Sequence, residues 1–204
     1  MVTHGERAEP RSYDAILYLS FGGPEGPDDV LPFLENVTRG RGVPRQRLLV
    51  VAEHYELFGG VSPINAQNRA VVAALRELLE RDGPDLPVYW GNRNWHPLVA
   101  DTVRRMRDDG VRRALAFATS AFSSYSGCRQ YLEDIAGARA EVGRNAAEID
   151  KIRPFHDHPG FLEPQAARVR LALLAVPEGR RADARLLFTA HSIPVAMAEA
   201  SDYV

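Results

Sequence analysis

The stretch Tyr13-Asp14-Ala15-Ile16-Leu17-Tyr18-Leu19-Ser20-Phe21, continuing into Gly22-Gly23-Pro24-Glu25-Gly26-Pro27 (YDAILYLSFGGPEGP, 13–27), decides how the rest of the chain is read. It opens as a nearly continuous apolar run, the pattern of a strand covered on both faces. Glycines and prolines then turn the chain. Pro27 and two aspartates open a helical pattern over 27–38, with Val30, Leu31, Leu34 and Val37 on one face. Three further strand-like runs follow: LPVYWG (86–91), RALAFATSA (113–121) and the weaker AEIDKIRPF (147–155). Between them lie helical patterns. Residues 45–58 repeat Leu48, Val51, Ala52, Tyr55 and Phe58 on one face and stop at Gly59-Gly60. SPINAQNRAVVAALRELLERDGP (62–84) is the clearest helix, with Ser62 as the expected N-cap, Pro63 at the first helical position and Gly83-Pro84 at its end. Its expected inward stripe is Ile64, Val71, Leu75, Leu78 and Leu79. Further helices are expected at 97–109, 125–140 and 159–175. Strands alternating with helices predict an α/β fold with a doubly wound, four-stranded parallel sheet.

A chain of 204 residues accommodates one full domain and part of another. The expected division is a polar N-terminal tail (1–12), a first α/β domain (13–155) and the incomplete start of a second, similar domain (156–204). In that last part PEGRRADA (177–184) reads as a polar loop and RLLFTAH (185–191) as a strand of a new sheet. One strand and one helix do not close a core of their own. The formal net charge of −2 gives no reason to expect nucleic acid or an acidic membrane surface as partner. The basic residues are almost all arginine, Lys151 being the only lysine. A single cysteine, Cys128, rules out an internal disulfide. MVTHGERAEPRS (1–12) lacks the apolar segment of a signal peptide, and no apolar run approaches the roughly 20 residues of a membrane span. The cytoplasm is the expected compartment.

Several segments carry candidate chemistry, each with a plainer alternative. LSFGGPEGP (19–27) lies at the carboxyl end of the first strand, where open α/β sheets bind ligands, yet it also reads as a simple tight turn. Its spacing is not G-x-G-x-x-G, and Pro24 and Pro27 remove amide donors that a phosphate would need, which argues against NAD or ATP. Phe21 and a scarcity of N–H donors suit a flat apolar ligand better. In YELFGGVSPI (55–64), Ser62 reads as a helix cap or as a hydroxyl for a ligand carboxylate. VTRGRGVPR (37–45) places Arg39, Arg41 and Arg45 in one loop, either as solvated charge or as guanidinium forks for carboxylates. In GNRNWHPL (91–98), His96-Pro97 reads as a helix start with Trp95 packed beneath it. ATSAFSSYSGCRQY (118–131) is either ordinary turn chemistry or a source of pocket donors, with Tyr125 and Tyr131 as candidates. His191 ends the apolar run LLFTAH at the expected ligand edge. It reads as a packed or surface residue, or as a base or transition-metal ligand. Ser192 beside it lacks the G-x-S-x-G setting of a hydrolase serine.

Taken together, LSFGGPEGP, YELFGGVSPI, GNRNWHPL, ATSAFSSYSG and FTAHSIP occur in this order in ferrochelatases, and the chain resembles that family from about residue 13 to residue 204, most closely its actinobacterial coproporphyrin III branch. The resemblance implies a chelatase-like fold with a cleft between two similar four-stranded α/β halves. It implies insertion of Fe(II), as substrate, into a porphyrin during haem synthesis: coproporphyrin III first, protoporphyrin IX as the alternative. His191 matches the family's histidine and is expected to act as base and metal ligand. Ser62 and Tyr131 match the propionate-binding pair, with Arg39 and Tyr55 as further substrate-binding residues. Phe21 stands where some bacterial relatives carry a tyrosine whose phenol approaches the iron; a phenylalanine supplies packing and no ligand atom. Family enzymes are much longer, so the chain is expected to be the N-terminal part of such an enzyme, and a porphyrin-binding module without catalysis is the reading from another class. Many relatives also hold a 2Fe–2S cluster through C-terminal cysteines. That extends only to a longer chain and is not supported by Cys128 alone. No protein partner is implied.

Overall fold

The computed structural model describes residues 12–190 and 192–201. In chain order its elements are β1 (Ala15–Ser20), α1 (Pro27–Val37), α2 (Arg45–Glu56), α3 (Ile64–Asp82), β2 (Val88–Asn92), α4 (Val99–Asp108), β3 (Arg113–Ala118), α5 (Gln130–Val142), β4 (Glu148–Lys151), α6 (Pro159–Ala175) and α7 (Val195–Glu199). A π-helical turn occupies Tyr125–Arg129 and a 3-10 turn Glu178–Asp183. The chain forms two compact units. One runs to Thr119 and takes in Tyr131–Ile152; the other takes in Ser120–Gln130 and the chain from Arg153 onward.

All four strands lie in the first unit and run parallel in the order β2-β1-β3-β4. The apolar run that begins at Tyr13 therefore supplies an inner strand, β1, with Ile16 opposite Val88 on one side and Leu115 on the other. Successive residues of β1 point to opposite faces, and both faces are covered. On one, Leu17 and Leu19 join Ala114, Ala116 and Ala118 beneath Val103 and Met106 of α4 and Ile135 and Ala138 of α5. The alternating alanines of β3 leave the volume those helices fill. On the other, Ile16, Tyr18, Val88, Trp90 and Phe117 are covered by Val72, Leu75 and Leu79 of α3. The sheet is doubly wound, as the alternating pattern predicts.

Three expectations are corrected in detail. The buried stripe of α3 is turned from the expected one: Val72 is 4% exposed, whereas Val71 and Leu78 are each 48% exposed. The inner positions near its start are taken by Asn65 and Asn68 instead: the Asn65 amide donates to the Gly23 carbonyl in the loop after β1, and Asn68 Oδ1 accepts from the buried Tyr18 hydroxyl. The helix pattern expected from 125 begins as a π-helical turn and becomes α-helical only at Gln130. The strand expected at 185–191 is not formed over 184–190, where Leu187 and Phe188 are 89% and 88% exposed. A strand requires a neighbour for its amides and carbonyls, and the four-stranded sheet is the one sheet among the described residues. In the same unit α6 buries none of its residues, while Phe122 packs against His156 and Phe161 at ring separations of 6.0 and 6.2 Å.

Candidate functional site

The loop that follows β1 and the turn between α2 and α3 are joined at close range. The Ser62 amide donates to the Pro24 carbonyl at 2.8 Å, Glu25 and Val61 form an antiparallel bridge, and Arg69 pairs with Glu25 at 2.7 Å. Gly60 has φ +72°, and a Cβ there would lie 2.5 Å from the Pro27 Cα; a Cβ on Gly23 would lie 2.7 Å from the Ser62 Oγ. Only glycine permits these approaches. Ser62, the expected cap, sits one position before the observed cap site, which Pro63 occupies. Its Oγ receives the Ile64 amide at only 3.4 Å, and no described acceptor takes its hydroxyl proton.

An aromatic cluster backs this junction. Phe33 of α1, 3% exposed, has Phe21, Tyr55 and Trp95 set edge-on around it, each with ring centroids 6.2 Å away. Edge-to-face contacts of this kind fix ring orientation as well as burying area. The Asp29 carboxylate anchors the cluster: its Oδ2 accepts from the Trp95 indole N–H at 3.2 Å and from the Glu25 amide at 3.0 Å. Burial raises the Tyr55 pKa, so the phenol stays protonated and able to donate. An open hollow of about 640 Å³ lies beside Tyr55 and is lined by His54, Tyr55, Phe58, Val61, Ser62 and Pro63. Two other hollows of the first unit, of about 440 and 400 Å³, flank the edge strand β2 and are lined by none of Phe21, Arg39, Tyr55, Ser62 and Tyr131.

Phe21, Tyr55 and Ser62 are thus brought together, the first two through Phe33 and the last two in one hollow. Arg39 is exposed in the loop after α1, its amide donating to the Asn36 carbonyl at 3.2 Å, and it does not line the hollow. Tyr131 is placed elsewhere. It is 5% exposed in the cluster beneath α4 and α5, hydrogen-bonded to Thr119, with the Arg93 guanidinium 5.9 Å from its ring centre. Burial raises its pKa, and Thr119 and Arg93 partly offset that. Arg93 also lies 3.2 Å from Asp134, whose pKa burial raises against the pull of the guanidinium. Thr119 in turn donates to the Ser20 hydroxyl at 3.2 Å, so a polar network runs beneath the carboxyl ends of β1 and β3.

A second network went unread in the sequence. Asn65 and Asn92 are fully buried; the Asn65 amide donates to the carbonyls of Gly23 and His96, both at 3.2 Å. The Asn92 amide donates to Asn65 Oδ1 at 3.1 Å and to the His96 carbonyl at 3.0 Å, while its Oδ1 accepts from the Trp90 indole at 2.9 Å. These two side chains lock the loop after β1 to the loop after β2. The signal available was an asparagine at an inward position of the α3 pattern. His191 lies outside the described residues. Among those residues no group of three or more His, Cys, Asp or Glu side chains is placed to hold a metal ion.

A four-stranded parallel sheet in this order, wound on both faces and carrying its loops at the carboxyl ends of the strands, is a doubly wound α/β domain of the kind that binds ligands beyond its strand ends. The ferrochelatase family model matches residues 13–204, and the chain belongs to the ferrochelatase family. It is 62% identical over 190 residues to a coproporphyrin III ferrochelatase of Frankia alni, covering 92% of this chain and 48% of that one. To the coproporphyrin III ferrochelatase of Nocardia farcinica it is 61% identical over 183 residues, covering 90% and 52%. To a ferrochelatase of Rhodopirellula baltica it is 57% identical over 191 residues, covering 94% and 54%. The chain spans about half the length of the curated relatives it matches.

Proposed function

We propose that the chain forms the porphyrin-holding part of an enzyme that inserts Fe(II) into coproporphyrin III in haem synthesis. The observation that carries this reading is the family match over 13–204, joined to relatives at 61% and 62% identity that bear the name coproporphyrin III ferrochelatase. Fe(II) is the substrate metal. Insertion replaces the two pyrrole N–H protons of the macrocycle, so the reaction needs a base at the ring face and a route for metal to the ring nitrogens. In this reading His191 takes the pyrrole protons one at a time, releasing each to solvent before the next, and its neutral form presents the metal. A neutral imidazole suits both tasks near neutral pH. Phe21 packs against the macrocycle and leaves no oxygen on its side of the ring. Ser62 and Tyr55 donate to a propionate at the rim, and Arg39 meets one from the neighbouring loop. Tyr131 is the second hydroxyl donor of the set, and it reaches a carboxylate only by leaving Thr119. Residues 156–204 are read as the start of the second α/β half. No helix among the described residues is long and apolar enough to cross a membrane; we assign the protein to the cytoplasm. The porphyrin is the partner this reading names.

The test is metal insertion by the intact protein under anaerobic conditions, followed by the change in visible absorption as the free base becomes the iron complex. Coproporphyrin III has four propionates and protoporphyrin IX has two, so a higher kcat/KM for coproporphyrin III is expected. Equal values, or a preference for protoporphyrin IX, would overturn the substrate assignment.

A further inference from the structure

We propose that the hollow along the outer edge of β2, between α3 and α4, binds a small oxyanion, a molecule bearing phosphate or carboxylate, through Arg69, Arg76, Arg105 and the Trp90 amide. Its lining shares no residue with the hollow beside Ser62, and the inference does not depend on the porphyrin reading.

β2 is an edge strand, so one side of its backbone lacks a ladder partner. The Ile16 amide donates to the Pro87 carbonyl and the Arg93 amide to the Ser20 carbonyl, both at 2.9 Å. Tyr89 and Gly91 therefore face β1, and Val88, Trp90 and Asn92 face outward. The chain closes the end of this edge itself, where the Asn92 amide donates to the Pro97 carbonyl at 2.6 Å. The two outward carbonyls before it are closed by side chains. Arg76 donates to the Val88 carbonyl at 2.7 Å, and the Thr102 hydroxyl to the Trp90 carbonyl, the nearer of its two acceptors, at 2.9 Å. The outward amides of Val88 and Trp90 have no acceptor among the described residues. With its acceptors occupied, the edge presents donors. An added strand needs donors and acceptors in alternation, whereas an anion needs donors alone.

The side chains around the hollow carry the matching charge. Its volume of about 440 Å³ is bordered by Arg69, Arg76 and Arg105 against one carboxylate, Asp101. Asp101 is engaged by Arg104 at 2.7 Å, and Arg69 by Glu25 at 2.7 Å. Arg76 and Arg105 pair with no carboxylate among the described residues. Arg76 is bonded to a neutral carbonyl, and the Arg105 guanidinium lies 5.1 Å from the Tyr89 ring centre. Asp109, one turn beyond Arg105, is held by the Tyr89 hydroxyl at 2.8 Å. Two uncompensated guanidinium groups thus border one opening, and each offers the paired donors that phosphate and carboxylate accept. Val72, Trp90 and Pro97 give the same hollow an apolar wall for the rest of the ligand. The adjoining hollow of about 400 Å³ shares Arg76 and Arg105 but adds Glu80, Asp85 and Asp109, which places the anion on the Trp90 side.

Arg76 as a cap of the strand edge and Arg105 as a partner of the Tyr89 ring have roles that need no ligand. Titration separates these from binding. The intact protein is titrated calorimetrically with pyrophosphate and with citrate, at an ionic strength held constant with sodium chloride. Arg105→Ala and Arg105→Lys are run beside it, with Arg170→Ala, an exposed position on α6, as the control for general charge attraction. Melting temperatures are recorded for all. Saturable binding by wild type is expected. Tighter pyrophosphate assigns the site to phosphate, tighter citrate to carboxylate, and equal affinity to oxyanions of either kind. Arg105→Ala should weaken binding about tenfold, the size of one charge-assisted contact, while Arg105→Lys stays within about threefold and Arg170→Ala is unchanged. Wild type that saturates with neither anion overturns the proposal. So does Arg105→Ala binding as tightly as wild type, whatever its melting temperature, which would confine Arg105 to packing on Tyr89. An equal loss in Arg170→Ala also overturns it, by marking attraction to surface charge. If Arg105→Ala does not fold, Arg69→Gln decides: a weakening of about threefold or more is expected, and unchanged affinity is the contrary result.

Discussion

Removing the Asn65 amide should loosen the candidate site from beneath. Asn65 is fully buried, and its side chain makes three contacts: to the Gly23 carbonyl, to the His96 carbonyl and from the Asn92 amide. In Asn65→Ala the buried Gly23 carbonyl loses its side-chain donor, at a cost of about 1–3 kcal/mol. The other two losses are smaller, because the Asn92 amide still donates to the His96 carbonyl at 3.0 Å. Together they add about 1 kcal/mol, so the total is roughly 2–4 kcal/mol. Asn65→Asp keeps the shape but offers no donor to either carbonyl, and should cost at least as much at neutral pH. With a urea slope of about 2 kcal/mol/M, the alanine variant's unfolding midpoint should fall by about 1–2 M. The assay is urea unfolding followed by far-ultraviolet circular dichroism, with porphyrin affinity measured in parallel. Affinity should fall as well, since the Gly23 loop packs directly against Ser62. A midpoint within about 0.3 M of wild type would refute the claim that this network joins the two strand-end loops.

Gly60→Ala combines a positive φ with a Cβ that would overlap Pro27, so it should destabilise by more than the roughly 1–2 kcal/mol of the backbone conformation alone. A melting temperature equal to wild type would contradict the tight junction described for this turn. Tyr131→Phe should raise KM for porphyrin about threefold with little change in kcat if its hydroxyl is a propionate donor. Unchanged steady-state kinetics would confine Tyr131 to the network with Thr119 and Arg93. Asp14 accepts the amides of Arg112 and Arg113 at 2.9 and 3.0 Å, and these hydrogen bonds hold its carboxyl below the usual carboxylate range. Its contribution is therefore present above the unfolded-state pKa and lost as pH falls through the lower folded value. Asp14→Asn should be less stable than wild type at pH 7, and the gap should close below about pH 4. A gap that persists at the acid end would show that the carboxylate charge is not its source.

The parallel sheet was legible because β1, β2 and β3 come from apolar runs and helical patterns lie between them; β4, Glu-Ile-Asp-Lys, is the weakest of the four. The Phe21, Tyr55 and Ser62 grouping was legible as well, because each stands in a segment that ends or follows an element on the ligand edge. Other features were hidden for identifiable reasons. Periodicity scores Val71 and Leu78 as inward and passes over Asn65 and Asn68, yet the loop after β1 needs the Asn65 amide as a donor and the buried Tyr18 hydroxyl needs Asn68 Oδ1 as an acceptor. Tyr131 reads as a loop hydroxyl, but its place in the cluster with Ile135 and Ala138, beside Arg93 and Thr119, holds it inside. The run Arg185–Thr189 has strand composition and no strand, because composition does not provide a neighbouring ladder.

The most direct test of the central claim is the rate of Fe(II) insertion into coproporphyrin III by His191→Ala in the intact protein, set against its porphyrin affinity. Loss of a positioned base and metal ligand should lower turnover by roughly 100-fold or more while the affinity stays within about threefold of wild type. Turnover close to wild type would contradict the role assigned to His191 and, with it, the account of how this chain takes part in the reaction.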